Sequence, residues 1–284
     1  MQKSLKEVRQ LCAQNAITAD KRRGQHFLVD DTVYEDILGS AGVTARDAVL
    51  EVGPGLGTLT ARLAERAGSV TAIEIDARLF RVLQERFSKT ENIKLVHGDV
   101  LAHSVAAHGI TQPYKIVANI PYNITAAILK KFLADDLRPK SMTLLVQREV
   151  GERVVATPGT LSLLGLSVQL YAKARIVRQV SRECFTPQPA VDSVLLQIDT
   201  VHSFPYKDVT EKFFWRVVKI GFSKKRKQLH NNLTGGLLLK RETIDAAFVA
   251  AKISAKARAQ ELSVKSWHDL ACYLSTIEKE HKVR

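Results

Sequence analysis

Between residues 48 and 148 the apolar positions gather into short, β-branched runs: AVLEVG (48–53), SVTAIEI (69–75), IKLVHG (93–98), YKIVANI (114–120) and SMTLLVQ (141–147). The spacing between runs is helical, with Leu56, Leu59 and Leu63 after the first and Leu79, Leu83 and Phe87 after the second. Near-continuous apolar strands that alternate with helices predict a parallel sheet covered on both faces. Past Arg148 the alternation stops. The apolar-rich stretch 161–180 and VDSVLLQI (191–198) predict further strands around an FTPQP turn at 185–189. After Pro205 the period is wholly helical: Phe213, Val217 and Ile220, then Ile244 and Phe248, then Trp267, Leu270, Leu274 and Ile277. HSFP (202–205) breaks the strand pattern. Two domains are therefore expected, an α/β domain over 1–204 and a small all-helical one over 205–284.

Composition narrows the class. A chain of 284 residues, 45% hydrophobic and 25% charged, is neither disordered nor collagen-like. No apolar stretch is long enough for a membrane span, and MQKSLKEVRQ at the start has no apolar region behind it, so neither a membrane nor a secreted protein is expected. Cys12, Cys184 and Cys272 are odd in number and far apart, which predicts reduced thiols in the cytoplasm and no structural metal. The net charge is +13, with 42 Lys and Arg against 29 Asp and Glu. It is concentrated at the ends, +3 over residues 1–30 and +9 over 201–284, around a middle of +1. Basic ends can serve solubility alone. The clusters Lys21, Arg22, Arg23 and Lys224, Lys225, Arg226, Lys227 point instead to an acidic polymer and its phosphates.

The chemistry concentrates at the strand ends. EVGPGLG (51–57) closes the first strand and opens a helix, so Gly53, Gly55 and Gly57 allow a tight turn and a close ligand approach beside unpaired helix N–H groups. The pattern is GxGxG, tighter than GxGxxG, which disfavours NAD; no GxxxxGK[ST] cradle is present for ATP. Glu74 ends the second strand 21 residues after Gly53, where a carboxylate can accept from a ribose diol. Asp99, in the GDV turn after the third strand, can accept from an adenine amino group. Then comes NIPYN (119–123), at the end of the fourth strand. An exocyclic adenine amine is a poor nucleophile unless acceptors hold its hydrogens. The Asn119 side-chain oxygen and the Ile120 carbonyl, stiffened by Pro121, can do this while Tyr122 stacks on the base.

These segments, with GQHFL (24–28), EID (74–76), FTPQPAVDS (185–193) and FSKKRKQLHNNL (222–233), occur in order over roughly residues 20–235, and the chain resembles the KsgA family of ribosomal RNA adenine dimethyltransferases. The resemblance implies a class I, Rossmann-like methyltransferase domain followed by a small helical domain, with S-adenosylmethionine as cofactor. It implies N6,N6-dimethylation of two adjacent adenosines near the 3′ end of small-subunit rRNA, late in assembly, with the pre-small subunit as partner. By motif position it assigns the cofactor to His26, Leu28, Gly53, Glu74, Asp99 and Asn119, with Gly55 in the loop. The target adenine falls to Asn119, Ile120, Tyr122 and Phe185, the last two as stacking platforms for an extruded base. Phe185 reads equally as a core aromatic. The two basic clusters would hold RNA phosphates. A monomer is the default for an enzyme that must reach a bulky ribosomal surface. Two departures stand out: His26 where many relatives have Asn, and no Tyr-Gly pair in GTLSLLGLSVQ (159–169). Two alternatives stay open, an Erm-type enzyme acting on large-subunit rRNA and a non-catalytic assembly or nucleic-acid-binding factor.

Overall fold

The computed structural model describes residues 3–20, 24–102, 104–110, 113–135, 137–200, 204–237 and 239–283; Lys21, Arg22 and Arg23 lie outside them. The order of elements is α1 (Lys3–Gln14), β1 (Phe27–Leu28), α2 (Asp31–Ala41), β2 (Ala48–Val52), α3 (Thr58–Ala64), β3 (Ser69–Glu74), α4 (Ala77–Phe87), β4 (Ile93–His97), β5 (Tyr114–Asn119), α5 (Thr125–Ala134), β6 (Ser141–Gln147), α6 (Arg148–Val154), α7 (Leu163–Gln169), β7 (Ala172–Val180), β8 (Phe185–Thr186), β9 (Ser193–Thr200), α8 (Glu211–Gly221), α9 (Leu229–Leu237), α10 (Arg241–Ala250) and α11 (Val264–Val283). The chain divides into two compact units, Met1–Glu152 with Ala172–Val201, and Arg153–Tyr171 with His202–Arg284.

The first unit is built on a seven-stranded sheet in the order β4-β3-β2-β5-β6-β9-β7. β4, β3, β2, β5 and β6 pair in parallel; β9 runs antiparallel between β6 and β7. Both faces are covered. Val49, Val70, Val117, Leu145 and Leu195 pack in one cluster with α2 and α3 residues, and the alternate positions Leu50, Ile116, Leu144 and Leu196 are also fully buried. Strands β2, β3 and β4 step one way across the sheet and β5 and β6 the other. The reversal between β2 and β5 opens a crevice beyond their carboxyl ends, the position where open α/β sheets take ligands. Local signals agree with the helices. Asp30 caps α2 by accepting from Thr32 N and Val33 N at 2.9 and 3.2 Å, and Gly42 closes it in the left-handed region.

The stretch 161–180 is not all strand. Only Ala172–Val180 is β7, whereas Leu163–Gln169 is helix α7, started by Ser162, whose hydroxyl accepts from Gly165 N at 3.1 Å. Leu161, Leu163, Leu164, Leu166 and Val168 crowd both periods, so hydrophobicity alone does not separate helix from strand there; the serine cap does.

In the second unit α8 packs against α9 and α11, and α10 against α9 and α11. Trp267 is fully buried at its centre, stacked on Phe222 at 5.4 Å. Residues 153–171, which the sequence placed with the first domain, group with this unit through specific bonds. The Tyr171 hydroxyl donates to the Glu211 carboxylate and accepts from Trp215 Nε1 at 2.9 Å, and Leu161 N donates to the Gln260 carbonyl at 3.2 Å. The division near residue 201 lies beside the expected break in HSFP. No helix among the described residues is long and apolar enough to cross a membrane.

Candidate active site

At the sheet's reversal point lies a cavity of about 470 Å³, a volume that suits a cofactor-sized ligand. Its walls come from the glycine loop after β2, the ends of β3 and β5, the turn after β4, and residues 24–28.

The glycine loop touches the NIPYN turn directly. Gly53 has φ +66°, and a Cβ on it would stand 3.3 Å from Pro121 Cδ, so only glycine gives this approach without strain. Gly57 has φ +78°, and its Cβ would meet the Phe87 ring at 2.6 Å and Leu83 at 2.8 Å. Gly57→Ala is expected to cost about 1–3 kcal/mol through overpacking and strain, read as a lowered unfolding temperature; an unchanged temperature would show that the loop yields freely.

Glu74 is 4% exposed, and its two oxygens tie the site together: Oε2 accepts from Gly55 N at 3.1 Å and Oε1 from Asp76 N at 2.9 Å. Burial raises its pKa. A carboxylate has about four lone-pair sites, so capacity remains for a ligand hydroxyl. Asp76 is held well below the usual carboxylate range by hydrogen bonds from Arg78 and Gln25. Asp99 accepts from Leu101 N through Oδ1 at 2.8 Å, which fixes the carboxylate on the cavity wall.

Sequence reasoning missed Glu51. It is 2% exposed, it lines the cavity, and its Oε2 has no hydrogen-bond partner among the described residues. Burial pushes its pKa up to about 8; the Glu74 carboxylate adds to the rise, and Thr60 and Arg86 oppose it. The available signal was an acidic residue inside an otherwise apolar, buried strand. Glu51, Glu74 and Asp99 line the cavity, and no Lys or Arg does so among the described residues. Such a donor set fits a ligand with cationic groups and ribose hydroxyls, as S-adenosylmethionine has, and is unsuited to a phosphate chain.

At the other end of the cavity, Asn119 Nδ2 donates to the His26 carbonyl at 3.2 Å, which commits the amide nitrogen and leaves Oδ1 as an acceptor. Ile120, 1% exposed, is pinned by its N–H to the Leu145 carbonyl at 3.2 Å. Tyr122 is half-buried, shares a 2.7 Å hydrogen bond with Ser193 Oγ, and has its phenol pKa raised by burial. The His26 ring stacks on it at 5.6 Å and 24°. His26 Nδ1 lies 2.7 Å from the Pro187 carbonyl and so must carry the proton there, because a carbonyl only accepts. This contact follows from the pairing of β1 with β8, Phe27 opposite Thr186 and Leu28 opposite Phe185.

That pairing also relocates one expected residue. Phe185 is 2% exposed and packs with Leu28, Val33 and Ile37 in the core; it is not among the residues that line the cavity, although its neighbour Leu28 is. His26, Leu28, Gly53, Gly55, Glu74, Asp99, Asn119, Ile120, Pro121 and Tyr122 are all brought to the one cavity. Lys224, Lys225, Arg226 and Lys227 belong to the second unit, all exposed on the turn between α8 and α9. Asn232 Nδ2 holds that turn by donating to the carbonyls of Gly221 at 2.7 Å and Lys224 at 3.2 Å.

Residues 17–276 match the protein family described as ribosomal RNA adenine dimethylase. The ribosomal RNA small subunit methyltransferase A of Dehalococcoides mccartyi is 40% identical over 255 residues, 89% of this chain and 88% of the relative. The protein of the same name from Clostridium acetobutylicum is 38% identical over 266 residues, 93% and 96% of the two chains. Among solved structures, the 23S rRNA methyltransferase ErmE is similar with a TM-score of 0.71 and 28% identity, over 87% of this chain and 99% of that one. A dimethyladenosine transferase from Plasmodium falciparum is similar with a TM-score of 0.73 and 25% identity, over 90% and 98%.

Proposed function

Because the chain belongs to the ribosomal RNA adenine dimethylase family, and with it is an S-adenosylmethionine-dependent rRNA adenine dimethyltransferase, we propose that it acts on the small ribosomal subunit. Its targets there are the N6 atoms of two adjacent adenosines near the 3′ end of the RNA, modified late in subunit assembly in the cytoplasm. The observation that carries the reading is the fixed Asn119 amide beside Ile120 on a cavity that also holds the carboxylates.

When bound, S-adenosylmethionine would supply a methyl group from its electrophilic sulfonium, the C–S bond breaking to leave a neutral thioether as the N–C bond forms. Glu74 would accept hydrogen bonds from the ribose hydroxyls and Asp99 from the adenine amino group, with Gly53, Gly55, His26 and Leu28 around the remainder. The target adenine leaves its stack to enter the pocket. Tyr122 offers it one ring face, the other being covered by His26. Asn119 Oδ1 and the Ile120 carbonyl accept the two amine hydrogens, which localises the nitrogen lone pair and aims it at the methyl. No strong base is needed, because the nitrogen becomes acidic on alkylation and releases its proton to water.

The first unit thus carries the chemistry, and basic clusters in both units grip RNA. Lys224, Lys225, Arg226 and Lys227 contact phosphates, as do Lys21, Arg22 and Arg23. Changing the four residues of the turn to Gln is expected to weaken RNA binding and lower the slope of log affinity against log salt by up to about 3 to 4. An unchanged slope would make the cluster a bystander.

The likeness to ErmE favours one further reading, methylation of large-subunit rRNA. Transfer of labelled methyl to under-methylated small subunits and, separately, to large-subunit RNA separates the two. Label in N6,N6-dimethyladenosine of the small subunit is expected; label confined to the large-subunit RNA would overturn the proposal.

A further inference from the structure

Helix α1 lies before residues 17–276 that match the family, yet it reaches the cavity. Its Val8 is 1% exposed and joins Leu56 of the glycine loop and Leu79 of α4 in one apolar cluster, and all three line the cavity. Two charged clamps hold the helix there. Arg86 Nη1 donates to the Leu56 carbonyl at 2.8 Å while its Nη2 pairs with Glu7, so one guanidinium joins α1 to the loop that would carry the cofactor. Arg62 Nη2 donates to Ser4 Oγ at 2.7 Å and to Asp31 Oδ1 at 3.1 Å, and the Ser4 hydroxyl in turn donates to Asp31. Arg62 also lies 4.2 Å over the Tyr34 ring, another wall residue. The side chains of Arg62, Glu7 and Arg86 are 17, 26 and 20% exposed, so water screens these pairs less than it would on an open surface.

We propose that α1, which lies outside the residues that match the family, is a wall of the cofactor site: Val8 is a further contact for S-adenosylmethionine, and Glu7 and Ser4 are positioning residues that seat it. The proposal rests on the reading that this cavity is the cofactor site. Binding energy then depends on a helix that fluctuates with its clamps. Losing Glu7 releases Arg86 from α1 and loosens both the wall and the Leu56 carbonyl it holds. A purely structural α1 would lower the unfolding temperature when altered and leave cofactor affinity alone.

Calorimetric titration of the full-length protein with S-adenosylmethionine tests this, with Glu74→Ala as the reference for loss of the site. Val8→Ala removes two carbons from the wall and is expected to raise Kd about tenfold. Glu7→Gln, which keeps shape and helix propensity, is expected to raise it several-fold. Hydrogen exchange gives a second readout in the wild type: amides of residues 3–14 should gain protection when the cofactor is added. Wild-type Kd in both variants and unchanged exchange in α1, with Glu74→Ala still defective, overturns the proposal and leaves the site standing. A wild-type Kd in Glu74→Ala overturns the site and the proposal with it.

Discussion

Asn119→Ala is expected to lower kcat for methyl transfer about 10²–10³-fold while S-adenosylmethionine still binds within about tenfold of wild type. The asymmetry follows from where the amide is fixed. Its nitrogen is spent on the His26 carbonyl, and Oδ1 is the acceptor needed when the amine lone pair localises. Asn119→Asp keeps the shape but sets a carboxylate oxygen against that carbonyl and is not expected to restore turnover. Single-turnover methyl transfer and calorimetry give the two numbers. Wild-type turnover in Asn119→Ala would remove the residue from the chemistry.

Glu51→Gln is expected to make the folded protein more stable and the cofactor weaker. The folded chain keeps the Glu51 proton up to about pH 8, whereas the usual carboxyl value is 4.5. Between these limits the folded state binds the extra proton, so the stabilisation this group contributes is complete below about 4.5 and is lost as pH rises toward 8, at about 1.4 kcal/mol per pH unit. Glutamine has no proton to lose. Its advantage over the wild type, from denaturant midpoints, should therefore grow from pH 5 to pH 8; an equal difference at both ends would contradict the raised pKa. Cofactor affinity moves the other way. A cationic ligand favours the ionised form, so wild-type affinity should climb with pH through this window and exceed that of Glu51→Gln by about tenfold at pH 8.5.

Much of the first unit was legible because its strands are continuous apolar runs and its helices, such as Leu79, Leu83 and Phe87 in α4, keep one clean face. The antiparallel placement of β9 and the helical start of 161–180 were not. In α7 leucines occupy adjacent positions, and the deciding atom is a single serine oxygen. The site divides the same way. Gly53, Glu74, Asp99 and Asn119 carry local patterns that reach the cavity directly. Phe185 could not be placed, because the same ring suits a pocket or a core, and only the pairing of Leu28 with Phe185 turns it inward. Glu51 and Val8 escaped for opposite reasons, one hidden inside a strand and the other on a charged terminal helix. Their importance arises from neighbours distant in sequence.

The segment 153–171 has a consequence for how the protein is made. Translation runs from the N-terminus, so Tyr171 and Gly159 leave the ribosome well before their partners Glu211, Trp215 and Gln260, which follow 40, 44 and 101 residues later. Until then Leu161, Leu166 and Val168, all buried in the finished fold, have no completed unit to enter. A nascent chain halted near residue 204 therefore carries an exposed apolar stretch, and a fragment begun at 205 lacks the piece that completes it. Quality control by chaperones and proteases should meet this enzyme at that interval of its synthesis.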